Sequence, residues 1–157
     1  MVSMVTFFLS AYKKVGIKER NQMEQTLMII KPDGVTRKLV GEIIQRFEKK
    51  QLNIRRLKIA KMSRELAEEH YAHVKKFDFF EDMMAYMTSS EVVYLVLEGT
   101  SVIKTVRKMI GATNCLEAEP GTIRGDYGAN SYQNIIHASD SSEAAAIEIK
   151  RFFTETD

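Results

Sequence analysis

Apolar positions along this chain switch between two spacings, and each switch marks an element. Residues 26–31, TLMIIK, form a short apolar run closed by Pro32-Asp33-Gly34, a turn signal. Val40, Ile43, Ile44 and Phe47 then recur at i, i+3, i+4 and i+7, which predicts a helix with one buried stripe and with Arg46, Glu48 and Lys49 pointing away. Residues 52–62, LNIRRLKIAKM, alternate through Leu57, Ile59 and Lys61 as a half-exposed strand does. Ser63 is placed to cap a helix through RELAEEHYAHV, because its hydroxyl can accept an orphan backbone N–H. A second helix carries Phe79, Phe80, Met83, Met84 and Met87. The continuous β-branched run 92–98, VVYLVLE, predicts a central strand broken by Gly99. Ser101 then caps a helix over 102–110 that Gly111 closes. Residues 112–133 show little periodicity, and a loop that long is functional or mobile. NIIHA, 134–138, predicts a fourth strand, and Asp140 with Glu143 fits a capping box for a last helix over 141–153.

The order is strand, helix, strand, two helices, strand, helix, loop, strand, helix, with no internal repeat. It predicts an α+β fold of the ferredoxin-like, split βαβ kind: a four-stranded antiparallel sheet covered by helices. Fold alone names no function.

Composition sharpens the picture in three places. The 157 residues are enough for one domain with a proper core. The net charge of +2 is too small to argue for nucleic acid or an acidic membrane. Lys13, Lys14, Lys18 and Arg20 face only Glu19 within residues 1–22, so the basicity belongs to that stretch. Its opening, MVSMVTFFLSAY, is short and its lysines follow it, the reverse of a secretory signal. The expected organisation is an extension over 1–22, outside the core, and a domain over 23–157. A targeting or membrane-surface arm is the other reading of the extension. The single cysteine, Cys115, excludes an intramolecular disulfide and a thiolate zinc site and fits a reducing, cytoplasmic setting. No apolar run approaches the roughly 20 residues that span a bilayer.

Several residue types carry candidate chemistry. No G-x-x-x-x-G-K-[ST] loop is present, and GTIRGDYG, following no convincing strand and opening no helix, is weak as a dinucleotide loop. His70 and His73 lie three apart on a helix and could share a metal, but no third ligand is evident nearby and a solvated helix face fits better. His137, at the end of an apolar strand beside Ser139, Asp140 and Ser141, reads either as a core histidine or as a nucleophile held in one tautomer. Lys31, Arg107 and Arg124 sit far apart in the chain, each alone readable as a surface charge. Without a phosphate loop, a polyanion must be held by just such guanidinium and ammonium groups.

MIIKPDGV (28–35), GATN (111–114), GTIRGDYG (121–128) and NIIHASDS (134–141) resemble, in order and spacing, the signature segments of the nucleoside diphosphate kinase family. The resemblance runs from Glu24 to about Thr156, and N-x-x-H-x-S-D-S is a highly specific motif. It implies a phosphotransferase that passes the terminal phosphoryl group of a nucleoside triphosphate, mainly ATP, to nucleoside diphosphates through a phosphohistidine at His137. Glu148 and Ser139 match the residues that hold the ring, and Tyr71 one that borders it. Arg107, Thr113 and Arg124 match phosphate contacts, Lys31 and Asn134 contacts to the ribose hydroxyls, with Lys31 also near the transferring phosphate, and Phe79 the aromatic that stacks on the base. The implied cofactor is magnesium, held mainly by nucleotide phosphates with no direct protein ligand. Nucleic acid and membrane are not implied as partners, and a homo-oligomer is, a hexamer over a tetramer.

Three positions depart from the family pattern. Cys115 stands where proline follows Gly-Ala-Thr-Asn, Ala138 where glycine follows the histidine, and Asp78 where proline precedes the paired phenylalanines. None touches the implied chemistry, and activity is expected to survive all three. Losing a fixed φ at Cys115 is expected to loosen subunit contacts, and Asp78 to alter the mobility of the nucleotide-gripping helices. The competing class is a ferredoxin-like binding module with a basic arm, but four cations without interleaved aromatics make a thin case. A structural role for His137 alone leaves its company of Lys31, Arg107 and Arg124 unexplained.

Overall fold

β1 (Met23–Ile30) and β3 (Glu91–Thr100) are apolar at consecutive positions because both faces of the sheet are covered. In the computed structural model, which describes residues 23–155, these strands pair antiparallel from Met23 opposite Thr100 to Ile30 opposite Val93. β2 (Asn53–Lys61) flanks β3 and β4 (Ile136–Ala138) flanks β1, both antiparallel, giving the order β2-β3-β1-β4 of a ferredoxin-like α+β fold. The expected extension over 1–22 lies outside the described residues.

Alternate side chains feed two cores. Met28, Ile30, Val93, Leu95 and Leu97 pack with Ile43 and Phe47 of α2 (Val40–Lys49) and with Val102, Val106 and Ile110 of α5 (Val102–Ile110). Leu27, Ile29, Val92, Tyr94 and Val96 face the other way, onto Ala67 of α3 (Arg64–His70), Met83, Met84 and Met87 of α4 (Phe80–Met87) and Phe152 of α7 (Ser142–Phe152). Among the described residues no helix is long and apolar enough to cross a membrane.

Local structure departs from the sequence expectation where pairing or backbone geometry prevails. Pro32-Asp33-Gly34 opens a short helix, α1 (Pro32–Thr36), with Pro32 in the first turn, where its missing N–H costs nothing. Gly99 does not break β3, because its pairing with Glu24 carries the strand on to Thr100. Ser101 turns the chain with a left-handed φ of 50° and makes no side-chain cap. The helix begun at Ser63, whose hydroxyl does accept the Leu66 N–H, ends at His70, and a 3-10 turn follows over Ala72–Val74. The last helix is capped by Ser141 through the Ala144 N–H rather than by Asp140. GTIRGDYG contains α6 (Ile123–Tyr127), capped by Thr122, so the aperiodic stretch is partly ordered.

Candidate active site

The site is built where the carboxyl end of β1 meets the approach to β4. The Lys31 N–H donates to the Ile135 carbonyl at 2.8 Å, and the Ile135 N–H donates to the Asp33 carboxylate at 3.2 Å. Ile135 has φ 71°, and the Ile136 N–H closes back on the Asn134 carbonyl at 2.8 Å. A β-branched residue in such a turn is strained by about 1–3 kcal/mol. Tyr86 donates to the same Asp33 carboxylate, so α1 and α4 hold the kink together. Gly34 permits the close approach, since a Cβ there would lie 2.6 Å from Ile30. The kink also explains why β4 starts at Ile136 and not at Asn134.

Beyond it, His137 stands opposite Ile29 on the face that carries α3, α4 and α7. Its Nε2 lies 3.1 Å from the Glu148 carboxylate on α7. Ser139 accepts the Leu27 N–H at 3.2 Å and donates to the same Glu148 oxygen at 2.5 Å. An ionised carboxylate only accepts, so the Nε2 nitrogen carries the proton and Nδ1 keeps a lone pair. Burial pushes the Glu148 carboxyl up, but the hydrogen bond and charge of His137, with Ser139 and His70, outweigh it and hold the pKa below the ordinary value. The anion is therefore retained at neutral pH. Glu148 lies two turns into α7, which the spacing from Ser141 allows.

Three cations converge on the other side of the cleft. Lys31 is buried, and its ammonium donates to the Asn134 side-chain oxygen at 2.7 Å and to the Tyr132 carbonyl at 3.2 Å. Burial, reinforced by the nearby Arg124 charge, pushes its pKa down to about 8. Arg124 is 4 % exposed and donates to the carbonyls of Gly111, Asn134 and Ile136, which leaves two of its five N–H groups uncommitted. Burial, and then the like charge of Arg107, lowers its pKa to about 10. Cations that depress one another in this way share one electrostatic field, a ready site for a polyanion. Arg107 and Thr113 are exposed at the rim. The Asn134 amide donates to the Thr113 and Ser131 carbonyls, tying the rim to Lys31.

These groups line a cleft of about 780 Å³, within the range of small-molecule sites. Of the residues singled out in the sequence, Lys31, Tyr71, Phe79, Arg107 and Thr113 line it, as do Arg124, Asn134, His137 and Glu148. Ser139 stands behind, acting on Glu148. Tyr71 is buried and its hydroxyl has no hydrogen-bond partner among the described residues, an unmet demand at the cleft wall. Phe79 is half-exposed, with Phe77 stacked on it at 5.4 Å and 8°.

The sequence reading misplaced His70. It is 7 % exposed, not solvated, and its ring meets His137 edge-on with centroids 4.6 Å apart. Burial, with His137 adding a like charge, pushes its pKa down to about 3, so it is a neutral imidazole. The clue was present in the spacing: Leu66, Ala67, His70 and Tyr71 lie on one side of α3 and its continuation. His73 also lines the cleft.

A model of the nucleoside diphosphate kinase family matches residues 24–157. A nucleoside diphosphate kinase of Acetivibrio thermocellus is 60 % identical over 135 residues, covering 86 % of this chain and 99 % of that protein. One from Methanocaldococcus jannaschii is 52 % identical over 132 residues, covering 84 % and 94 %. Among solved structures, the nucleoside diphosphate kinase of Encephalitozoon cuniculi superposes with a TM-score of 0.81 at 44 % identity, over 83 % of this chain and 88 % of that one. The halophilic enzyme of Halobacterium salinarum in complex with CDP gives 0.83 at 41 % identity, over 86 % and 90 %.

Proposed function

The chain belongs to the nucleoside diphosphate kinase family, and from that premise we propose that His137 is the group through which it works. The chain is a phosphotransferase acting between nucleotides. In the mechanism proposed for it, His137 Nδ1 attacks the terminal phosphorus of a nucleoside triphosphate, chiefly ATP. An N–P bond forms, the bridging P–O bond breaks, and the diphosphate leaves. A second diphosphate then attacks the phosphohistidine and the steps reverse, a ping-pong cycle. Glu148, held by Ser139, fixes the tautomer and stabilises the positive charge that the ring gains. Lys31, Arg107 and Arg124 offset charge on the phosphates, with the Thr113 hydroxyl beside them. Lys31 and Asn134 receive the ribose hydroxyls, and Tyr71 borders the reacting ring. The observation that carries this reading is the 3.1 Å contact of His137 Nε2 with Glu148, which leaves the opposite nitrogen free.

Enzymes of this family act with a divalent metal ion, here proposed to be magnesium. The residues fit an ion that rides on the nucleotide: Lys31, Arg107 and Arg124 make the phosphate side of the cleft cationic, and of its two carboxylates Glu148 is engaged by His137 and Ser139, which leaves the nucleotide phosphates as the main source of the oxygens magnesium takes. When bound, it neutralises charge on the phosphoryl oxygens. The domain is assigned to 23–157, with 1–22 an extension, in a cytoplasmic protein. A homo-oligomer is supported by the β2 edge, where Leu57 and Ile59 are 46 % and 55 % exposed; hexameric rather than tetrameric assembly rests on the family resemblance alone. Cys115, buried and donating to the Asn130 carbonyl, ties down the loop in which proline is usual.

Incubation with ATP labelled at the terminal phosphate tests the cycle. An acid-labile, base-stable label on the protein, discharged by GDP, is expected; absence of label, or label that GDP does not remove, contradicts it.

Two further results are expected. Lys31 loses its proton as pH rises through about 8, since its pKa is lowered. Catalytic efficiency of the free enzyme should therefore fall between pH 7 and 9, and Lys31→Arg should remove that limb; a wild-type profile flat to pH 9.5 contradicts this. Phe79→Ala should raise KM about tenfold for purine and pyrimidine diphosphates alike, because a stacked base contributes ~1–3 kcal/mol regardless of identity. Unchanged KM for both classes would remove Phe79 from the base site.

A further inference from the structure

On the side of the His137 ring away from Nδ1, a second set of donors converges. One ligand atom from each of His70, His137 and Glu148 lies within 4.8 Å of the other two. Glu148 reaches His137 Nε2 at 3.1 Å through one oxygen and stands 4.0 Å from His70 Nδ1 through the other. All three residues line the cleft, through which a solute reaches the group from the side of His137 and Glu148, 22 % and 13 % exposed, with His70 at its inner end. Two imidazoles and one carboxylate form a ligand set for zinc and its borderline neighbours, not for magnesium. Zinc bonds of about 2.0–2.1 Å in a tetrahedron place ligand atoms ~3.3 Å apart. The His137–Glu148 pair, at 3.1 Å, already meets that spacing, and the His70–Glu148 pair, at 4.0 Å, must close by about 0.7 Å.

The His70 nitrogen is in the state a metal requires. A guanidinium only donates, so the 3.4 Å contact of Arg151 Nη1 with His70 Nδ1 marks that nitrogen as the one without a proton. Arg151 is also the group that opposes a cation here. It can swing aside and keep Glu69, which it holds at 2.7 Å.

We propose that His70, His137 and Glu148 form a binding site for a zinc-class divalent cation, and that occupying it switches off phosphoryl transfer. The switch is tautomeric. A neutral imidazole carries one proton; a metal on Nε2 moves that proton to Nδ1, where the nucleophilic lone pair was. No proton is gained or lost overall, and no electron moves. Binding itself stands on geometry alone, whereas the inhibition rests on His137 being the nucleophile.

Cobalt(II) titrated into the metal-free full chain, without nucleotide, reports the site by its visible absorption. One equivalent should bind with the intense bands of four-coordinate cobalt, and zinc should displace it. His70→Phe should abolish the bands and Glu148→Gln should weaken them, with circular dichroism checking each fold; if His70→Phe does not fold, Glu148→Gln decides. With magnesium in excess, zinc should inhibit nucleotide exchange, and the concentration for half-inhibition should rise at least tenfold in His70→Phe, measured against that variant's own zinc-free rate. No stoichiometric cobalt spectrum, a spectrum indifferent to both substitutions, or zinc bound without inhibition overturns the proposal. If cobalt binds as expected but ATP leaves no label on the zinc-free chain, the metal site stands and the nucleophile assignment fails.

Discussion

His137→Ala is expected to leave a folded chain whose phosphoryl exchange falls by at least about 10⁴-fold, the scale of losing a covalent nucleophile. Neither ring that flanks it can replace it: Tyr71 is buried with its hydroxyl pKa pushed up, first by burial and then by Glu148, and His70 meets the ring edge-on. The fold should survive because β4 is three residues long at the sheet edge and the His137 side chain is 22 % exposed. What is lost structurally is one hydrogen bond to Glu148, whose carboxylate keeps Ser139. A hydrogen bond to a charged group contributes ~1.5–3 kcal/mol, and one ending on a partly exposed ring lies at the low end. Thermal unfolding by circular dichroism should therefore shift by only a few degrees, while label and exchange disappear together. Near-normal turnover in the variant contradicts the mechanism.

Glu148→Ala should lower the turnover number by about 10³-fold with little change in KM, because Glu148 acts on the ring and not on the nucleotide. Without its acceptor, Nε2–H is no longer preferred, and the proton is free to reside on Nδ1 in the wrong tautomer; losing such a partner costs up to ~10⁴ elsewhere. Glu148→Gln separates orientation from charge. Its amide oxygen can still accept from Nε2–H and Ser139, and its NH₂ can face the unprotonated His70 Nδ1. The charge that stabilises the phosphorylated ring is gone. A smaller loss, about 10- to 100-fold, is expected. Single-turnover labelling measures both, and equal losses in the two variants would mean that holding the tautomer contributes nothing.

How far these features were legible in the sequence depends on which force set them. β1 and β3 were visible because two buried faces demand uninterrupted apolar runs, and α2 because its single stripe repeats at helical spacing. Gly99 misled because ladder pairing with Glu24 outweighs the flexibility of one glycine. The kink at Ile135 was invisible, since nothing in an isoleucine announces a positive φ; hydrogen bonds from Lys31 and to Asp33, 102 positions away from it, make it tenable. The motifs named Lys31, Arg107, Arg124, Asn134 and His137, but that they share one cleft is a property of the sheet order. That Arg124 is buried on three carbonyls, and so holds the site together as well as lining it, could not be read from its charge. His70 was missed because helix faces were weighed without asking what α7 and β4 would bring against them.

The position of the phosphoryl group on the ring tests the central claim most directly. Alkaline hydrolysis of the labelled protein, followed by separation of the two phosphohistidine isomers, identifies the nitrogen that attacked. The Nδ1 isomer, recovered from the peptide containing His137, is the expected result, because Glu148 occupies the other nitrogen. The Nε2 isomer, or label on any other residue, would contradict it.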